Sequence, residues 1–267
     1  MNYGFIGLGN MSGAILAGIE KSGQFSQDKI YGFNRSPGKT LALRDKMGLI
    51  PCESAGQVVL NAEVIVLGVK PQILPGVMEE ISPLIPAGKT VISIAAGKPL
   101  AWYQERLSRG VAVVRVMPNI NAKALQAVSA ICGGQFAGEE NVAIADKMFK
   151  TVGTTFRIEE KMFPAFSAIG GASGAFIYRY IDALADAGVK AGFSRPFAVE
   201  LATDTVLGSA KLVRETGEHP IALANQVCSP GGTTIEGVLT LKRLGFEAAV
   251  QQAVEAIIEK DKKLAES

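Results

Sequence analysis

Two glycine-rich stretches carry residue types that bind anions in proteins. The first, Gly7-Leu8-Gly9-Asn10-Met11-Ser12, lies between an apolar run and a helical pattern. In such a turn the backbone approaches a pyrophosphate closely, and the N–H groups at the start of the next helix favour that anion. A G-x-G directly after the first strand of a β-α-β pattern is a strong signal. It predicts dinucleotide binding at Gly7, Leu8, Gly9, Asn10 and Met11; the alternative is a strand–helix turn without a ligand.

Asn34-Arg35-Ser36 follows the second apolar run. NAD-binding proteins usually place a carboxylate there to hold the ribose hydroxyls. Here the carboxylate is missing, and a guanidinium beside a hydroxyl can hold a 2′-phosphate instead. These three residues predict NADPH as the cofactor, with NADH possible. The alternative is a solvated loop arginine.

Two shorter segments, Val69-Lys70-Pro71 and Ala95-Ala96-Gly97, follow later apolar runs. In open α/β sheets, ligands bind at the carboxyl ends of the strands. The small residues predict room for a nicotinamide ring, and Lys70 predicts a charge near the reacting atoms. From spacing alone, a lysine that faces water is an equally good interpretation.

The second glycine-rich stretch, Ser229-Pro230-Gly231-Gly232-Thr233-Thr234, precedes a helical pattern that runs to about Leu244. Backbone N–H groups and the hydroxyls of Ser229, Thr233 and Thr234 converge in such a turn, which suits a carboxylate. An ordinary Pro-Gly turn with a threonine cap remains the alternative.

Short apolar runs separated by helical segments fill the first half of the chain and predict a parallel sheet covered on both faces. The predicted strands are Tyr3–Ile6, Lys29–Phe33, Val64–Leu67, Thr90–Ile94 and Val111–Val116, with a weaker pair at Ala127–Ile131 and Gly153–Ile158, and the first two helices are Met11–Lys21 and Gly38–Met47.

The pattern changes near Glu159, beyond which only helices are predicted: Pro164–Ala187, Phe197–Arg214 and Phe246–Leu264. We therefore expect a dinucleotide-binding domain over residues 1–160 and a helical domain over residues 161–267. The last helix has an apolar stripe at helical spacing, and a helical unit of this size often needs a partner to complete its core. The helical domain is accordingly expected to form at least a dimer.

Composition excludes several classes of function. The 267 residues include 27 basic and 25 acidic side chains, a net charge of +2 that is too small to indicate a nucleic-acid partner. Three separated cysteines and a single histidine, His219, predict no metal site and no disulfide. No signal peptide or membrane span is predicted, so we expect a cytoplasmic protein that binds no membrane.

The sequence resembles the pyrroline-5-carboxylate reductase family over its whole length. The most specific part is Cys228-Ser-Pro-Gly-Gly-Thr-Thr-Ile235-Glu236, preceded by Glu215-Thr-Gly-Glu-His-Pro220. Also similar are Gly4-Phe-Ile-Gly-Leu-Gly-Asn-Met11, Val69-Lys-Pro71, Ser93-Ile-Ala-Ala-Gly97, Arg115-Val-Met-Pro-Asn119 and Asp182-Ala-Leu-Ala-Asp186.

This resemblance implies an α/β chain with an N-terminal Rossmann-like domain and a C-terminal helical dimerisation domain, a homodimer often assembled into larger rings such as decamers. It implies reduction of a cyclic imine carboxylate to L-proline with NAD(P)H, a step of proline biosynthesis. Thr234, from the second glycine-rich stretch, and Lys70, from its position at a strand end, are the expected catalytic residues. The substrate carboxylate is expected at Ser229, Gly231, Gly232, Thr233 and Thr234, with Asn119 as a further substrate contact. The resemblance assigns no proton donor.

Three departures from the family pattern leave the substrate open, because altered hydroxyls and charges change which ligand groups a site can satisfy. They lie at Ile120 and Asn121, at Gly174 and Phe176, and at Ala224 and Asn225. One alternative is a paralogue that reduces a different imine carboxylate. Another is a non-catalytic cofactor-binding protein of the same fold.

Overall fold

A computed structural model describes residues 1–265 of the chain. It divides into a sheet unit, residues 1–171 with 258–265, and a helical unit, residues 172–257. The predicted domain boundary after residue 160 stays a prediction, and the last two residues of the predicted 161–267 domain lie outside the described residues.

The sheet unit contains eight strands in the order β3-β2-β1-β4-β5-β6-β7-β8. The strand order reverses between β1 and β4, which is where open α/β sheets form their ligand crevice. The strands are β1 Asn2–Ile6, β2 Lys29–Phe33, β3 Ile50–Pro51, β4 Val64–Leu67, β5 Thr90–Ser93, β6 Ala112–Met117, β7 Ala127–Gly133 and β8 Gly153–Arg157.

The predicted parallel sheet is confirmed for the five strands of the strong apolar runs, whereas β7, from the weaker predicted pair, runs antiparallel to β6. The connection between them, residues 118–126, is nine residues long. A parallel crossover needs a dozen or more residues, so this link can only return the chain in the opposite direction. All other neighbouring strands are parallel.

Helices cover both faces of the sheet, as predicted, because successive strand residues point to opposite sides. Val64 and Val66 of β4 belong to one apolar cluster, whereas Ile65 and Leu67 belong to the other. The helices of this unit are α1 Asn10–Ser22, α2 Pro37–Met47, α3 Ala55–Asn61, α4 Leu74–Ile81, α5 Leu100–Gln104, α6 Glu139–Lys150 and α7 Phe163–Phe166.

Among the described residues, every element after β8 is helical, which confirms the predicted change of character. The single helix predicted over Pro164–Ala187 is wrong, however, because a π-helical segment, Ser167–Ala172, interrupts it. The Gly170 carbonyl in this segment accepts a hydrogen bond from Asn119 Nδ2 at 2.7 Å. The remaining helices are α8 Gly174–Lys190, α9 Arg195–Thr216, α10 Pro220–Val227, α11 Thr233–Arg243 and α12 Phe246–Ala265.

Ser12 packs the first turn of α1 closely against Gly68, which follows β4. Its side chain is fully buried, and a Cβ atom at Gly68 would overlap the Ser12 hydroxyl. That hydroxyl has no hydrogen-bond partner among the described residues. A buried polar group without a partner lowers stability.

Ser12→Ala should therefore raise the free energy of unfolding by about 1 kcal/mol, because it removes an unpaired buried hydroxyl and keeps the packing. Urea unfolding of the protein without ligand measures this. Ser22→Ala in the same helix is the matched control, since the Ser22 hydroxyl donates to the Ile19 carbonyl at 2.9 Å and its loss should lower stability. Destabilisation by Ser12→Ala would contradict the prediction.

Candidate active site

The turn between β1 and α1 depends on glycine at position 7. Gly7 has a φ of 91°, and its N–H donates to the Phe33 carbonyl at 2.9 Å. A Cβ atom here would lie 2.7 Å from Val69 Cγ1 and 2.9 Å from the Gly68 carbonyl oxygen. Both the conformation and the close approach to the turn after β4 thus require a residue without a side chain.

The amino end of α1 is open to an anion. Gly9 caps the helix without a side-chain hydrogen bond, and no acidic residue occupies the first turn. The free N–H groups and the positive end of the helix dipole favour a negative ligand there. Leu8 and Met11 pack against the core and Asn10 is exposed, so the backbone of this turn is what a ligand can contact.

A cleft of about 450 Å³ brings together six of the fourteen predicted cofactor residues. It lies at the edge where the parallel strands end. Val77 and Glu80 of α4 line the side opposite the strands. The predicted residues that line it are Gly7, Gly9, Asn34, Arg35, Val69 and Lys70, joined by Glu80 and Ile73 of the α4 side.

Asn34 and Arg35 have different roles in the structure. Asn34 Oδ1 accepts from the Leu8 N–H at 3.0 Å and its Nδ2 donates to the Ser36 carbonyl, so the amide joins the two turns. Arg35 and Ser36 are exposed. Among the described residues no hydrogen bond or ion pair engages the Arg35 guanidinium, which leaves it free for a phosphate.

The segments after β4 and β5 end at the same edge as the turn after β1, because these strands are parallel neighbours. Lys70 is exposed at this edge. The Ala95 N–H donates to Ser93 Oγ at 3.3 Å, and Gly97 turns the chain at a φ of 77°. Pro71, Ala96 and Gly97 are at least partly accessible, whereas Ala95 is buried.

Asn119, the further predicted substrate contact, is engaged within the protein. Its Nδ2 donates to the Gly170 carbonyl and its Oδ1 accepts from the Val128 N–H at 3.3 Å. The side chain is buried, whereas the neighbouring Ile120 is exposed. The amide therefore fixes the loop after β6, and a substrate contact at Asn119 stays a prediction.

The Ser229–Thr234 turn in the helical unit is formed and accessible. Gly231 adopts a φ of 68°, and the Gly232 N–H donates to the Ser229 carbonyl at 3.0 Å. Gly232 precedes α11 without any side-chain cap, which does not favour the alternative of a threonine-capped turn. Ser229, Gly231, Thr233 and Thr234 are exposed. The N–H groups of the first turn of α11 are thus available to an anion.

Sequence reasoning missed Glu160, whose carboxylate joins Arg115 of β6 to the start of α5. A charged residue inside the apolar run of β6 was the available signal, because such a side chain needs a partner. Within residues 1–265, no cluster of acidic, histidine or cysteine side chains could hold a metal ion, and no helix is long and apolar enough to span a membrane.

Comparison with known proteins identifies the family. Residues 160–264 match the family model described as pyrroline-5-carboxylate reductase dimerisation, and residues 2–97 match the model for NADP oxidoreductase, coenzyme F420-dependent. The pyrroline-5-carboxylate reductase of Escherichia coli (strain K12) is 40% identical over 264 residues, which cover 99% of this chain and 98% of that protein. The chain belongs to the pyrroline-5-carboxylate reductase family. The predicted resemblance is thereby confirmed.

Other members of the family agree over similar lengths. The reductase of Methanosarcina acetivorans is 39% identical over 98% of this chain and 97% of that protein. The structure of the Coxiella burnetii pyrroline-5-carboxylate reductase covers 100% of this chain and 99% of its own, with a TM-score of 0.94 and 28% identity. The Plasmodium falciparum pyrroline carboxylate reductase, solved with NADP bound, gives a TM-score of 0.86 at 28% identity over 99% and 98% of the two chains. The predicted fold class is confirmed.

Proposed function

We propose that this chain reduces L-1-pyrroline-5-carboxylate to L-proline with NAD(P)H, as a step of proline biosynthesis. The observation that carries the proposal is the 40% identity, over nearly the full length of both chains, to a reductase of that name. The structure supports it with two accessible anion sites, one in each unit, that suit a dinucleotide and a carboxylate.

The sheet unit is proposed to bind the dinucleotide. Gly7, Gly9 and the first turn of α1 would hold the pyrophosphate, and Arg35 with Ser36 would hold the 2′-phosphate of NADPH. The segments Val69–Pro71 and Ala95–Gly97 would surround the nicotinamide end, where Lys70 adds a positive charge. When bound, the cofactor supplies a hydride to the imine carbon, and the protein supplies orientation and charge placement.

The helical unit is proposed to bind the substrate. The N–H groups of the Ser229–Thr234 turn would hold the carboxylate, since the amino end of a helix stabilises negative charge. The Thr234 hydroxyl would contact the ring nitrogen, which gains a proton when the carbon gains the hydride. A threonine hydroxyl is too weak an acid to supply that proton, so the proposal assigns it an orienting role.

Assembly through the helical unit is part of the proposal. Among the described residues of this unit, the buried hydrophobic side chains are those of Ala185, Ala198 and Ala202. Large apolar side chains such as Phe197 and Leu207 are exposed instead. A unit that buries only alanines lacks a core of its own, so a second copy is the natural cover for its apolar surface.

Three finer expectations stay predictions: the preference for NADPH over NADH, a ring such as a decamer built from dimers, and a cytoplasmic location. A panel of small imines distinguishes the proposal from its alternatives. Turnover of pyrroline-5-carboxylate supports it, whereas exclusive turnover of another imine carboxylate would indicate a paralogue. Cofactor binding without any turnover would indicate a non-catalytic protein.

The wild-type protein should be at least a dimer at micromolar concentration, as measured by light scattering. Leu207→Glu, which places a charge on an apolar side chain 64% exposed in α9, should shift the population to monomer. Leu60→Glu is the matched control, since Leu60 is 72% exposed in α3 of the sheet unit. A monomeric wild type would refute assembly through the helical unit.

Arg35→Ala should weaken NADPH binding by about 1.5–3 kcal/mol and NADH binding much less, because only NADPH carries the 2′-phosphate. Dissociation constants for both cofactors, measured by fluorescence titration, test this. Arg44→Ala is the control, since the Arg44 guanidinium pairs with Asp45 at 2.9 Å. Equal losses for both cofactors, or a wild-type preference for NADH, would rule out the assignment.

Thr234→Ala should lower kcat/KM for pyrroline-5-carboxylate by the equivalent of about 1–3 kcal/mol, because one hydroxyl is lost while the backbone N–H groups remain. The dissociation constant of NADPH should not change. Thr240→Ala, further along α11, is the control. An imine that lacks the carboxylate should be a very poor substrate. If it reacts as well as pyrroline-5-carboxylate, the Ser229–Thr234 turn has no substrate role.

A further inference from the structure

A row of polar side chains crosses three neighbouring strands of the sheet beneath α5. Ser93 of β5 pairs in register with Arg115 of β6, which pairs with Cys132 of β7. Residues paired in register lie on the same face of a sheet. A guanidinium therefore lies between two neutral side chains in the middle of three adjacent strands.

Glu160 neutralises this guanidinium. Arg115 Nη1 donates to Glu160 Oε1 at 2.8 Å, and the guanidinium stacks on the Phe163 ring at 4.4 Å from its centroid. The Arg115 side chain is only 12% exposed. The Glu160 side chain is 31% exposed, so the pair is only partly buried and its attraction is partly screened by solvent. What the pair does is join β6 to the start of α5.

The same carboxylate oxygen also caps α5. The Leu100 N–H, at the first position of that helix, donates to Glu160 Oε1 at 2.7 Å. The residue before it, Pro99, offers no side-chain cap. Glu160 thus supplies, from sixty residues further along the chain, the acceptor that a serine or aspartate usually provides locally.

The turn Ala95–Pro99 is held at both of its ends. At its start, Ser93 Oγ accepts from the Ala95 N–H and lies 2.6 Å from the Tyr103 hydroxyl. Burial raises the pKa of Tyr103, so this phenol stays neutral and can share a hydrogen with Ser93. At its end, the Glu160 carboxylate fixes Leu100. Without Glu160, the start of α5 would lose its polar link to Arg115 of β6, although Leu100 and Tyr103 remain buried against the sheet.

We propose that Glu160, together with Arg115, is a positioning residue that fixes the Ala95–Pro99 turn and thereby the nicotinamide end of the cofactor. This inference rests on the proposed function, which places the nicotinamide at that turn. The pair lies away from Asn34–Ser36, where the adenosine end of the cofactor is proposed to bind. The two ends of the cofactor should therefore respond differently to its loss.

The test is Glu160→Ala, with two ligands measured by calorimetry: NADPH and adenosine 2′,5′-bisphosphate, which lacks the nicotinamide half. The dissociation constant of NADPH should rise roughly tenfold, the scale of a lost helix cap. That of adenosine 2′,5′-bisphosphate should stay within about twofold of the wild-type value, because its site is untouched. A general loss of structure would weaken both ligands alike.

Glu160→Gln keeps an acceptor for the Leu100 N–H but removes the charge that Arg115 faces, and it decides the matter if Glu160→Ala does not fold. Its effect on NADPH should be smaller but equally selective. Asp146→Asn is the matched control: this carboxylate of α6 is 14% exposed and accepts from Lys150 at 2.7 Å. It should lower thermal stability and leave both dissociation constants unchanged.

The outcomes separate the two proposals. If the wild type neither binds NADPH nor reduces pyrroline-5-carboxylate, the proposed function fails. If the wild type does both, but both Glu160 variants weaken the two ligands equally or neither of them, the positioning role is refuted and the function stands. Selective loss of NADPH in either variant supports the positioning role.

Discussion

The turns that follow β1 and β4 meet backbone to backbone, and the cleft proposed to bind the nucleotide depends on this contact. Gly7 turns the chain at a positive φ, while the Gly68 carbonyl occupies the space that a side chain at position 7 would need. Gly68 in turn lies under Ser12, so α1 stays against the sheet and Gly9 at its start lines the cleft. A side chain on either glycine would push the two turns apart at the point where the strand order reverses.

Periodicity in the sequence predicts the strands well and their directions less well. β2 and β4 have the predicted bounds, because each is a short run enclosed by polar or turn-forming residues that leave little freedom. Direction is not encoded in such a run, so the antiparallel β7 becomes apparent only from the shortness of its connection to β6. The π-helical break at Ser167–Ala172 was equally hidden, since it accompanies a long-range bond from Asn119 to the Gly170 carbonyl.

The candidate site could be predicted where a local motif carries it, and not where distant residues cooperate. The glycine turn and the Ser229–Thr234 turn were found because backbone N–H groups need only a short stretch of chain to converge. A ligand contact at Asn34 stays a prediction, and the structure adds that its amide joins two turns of the protein, which the sequence pattern does not indicate. Glu160 was not found, because nothing in a sequence tells which carboxylate meets a buried Arg115.

In the helical unit the predicted helices form, but they bury no large apolar side chains among the described residues. The apolar stripe predicted on α12 forms, yet Phe246 and Val250 remain exposed in the single chain. Small residues such as Gly188 and Ala198 let α8 and α9 approach closely, and that leaves little space between them for large side chains. The apolar area that would stabilise the unit therefore lies on its outside, so its stability is inseparable from whatever covers it. Because the Ser229–Thr234 turn belongs to this unit, substrate binding would, on the proposed function, depend on a unit that assembly stabilises.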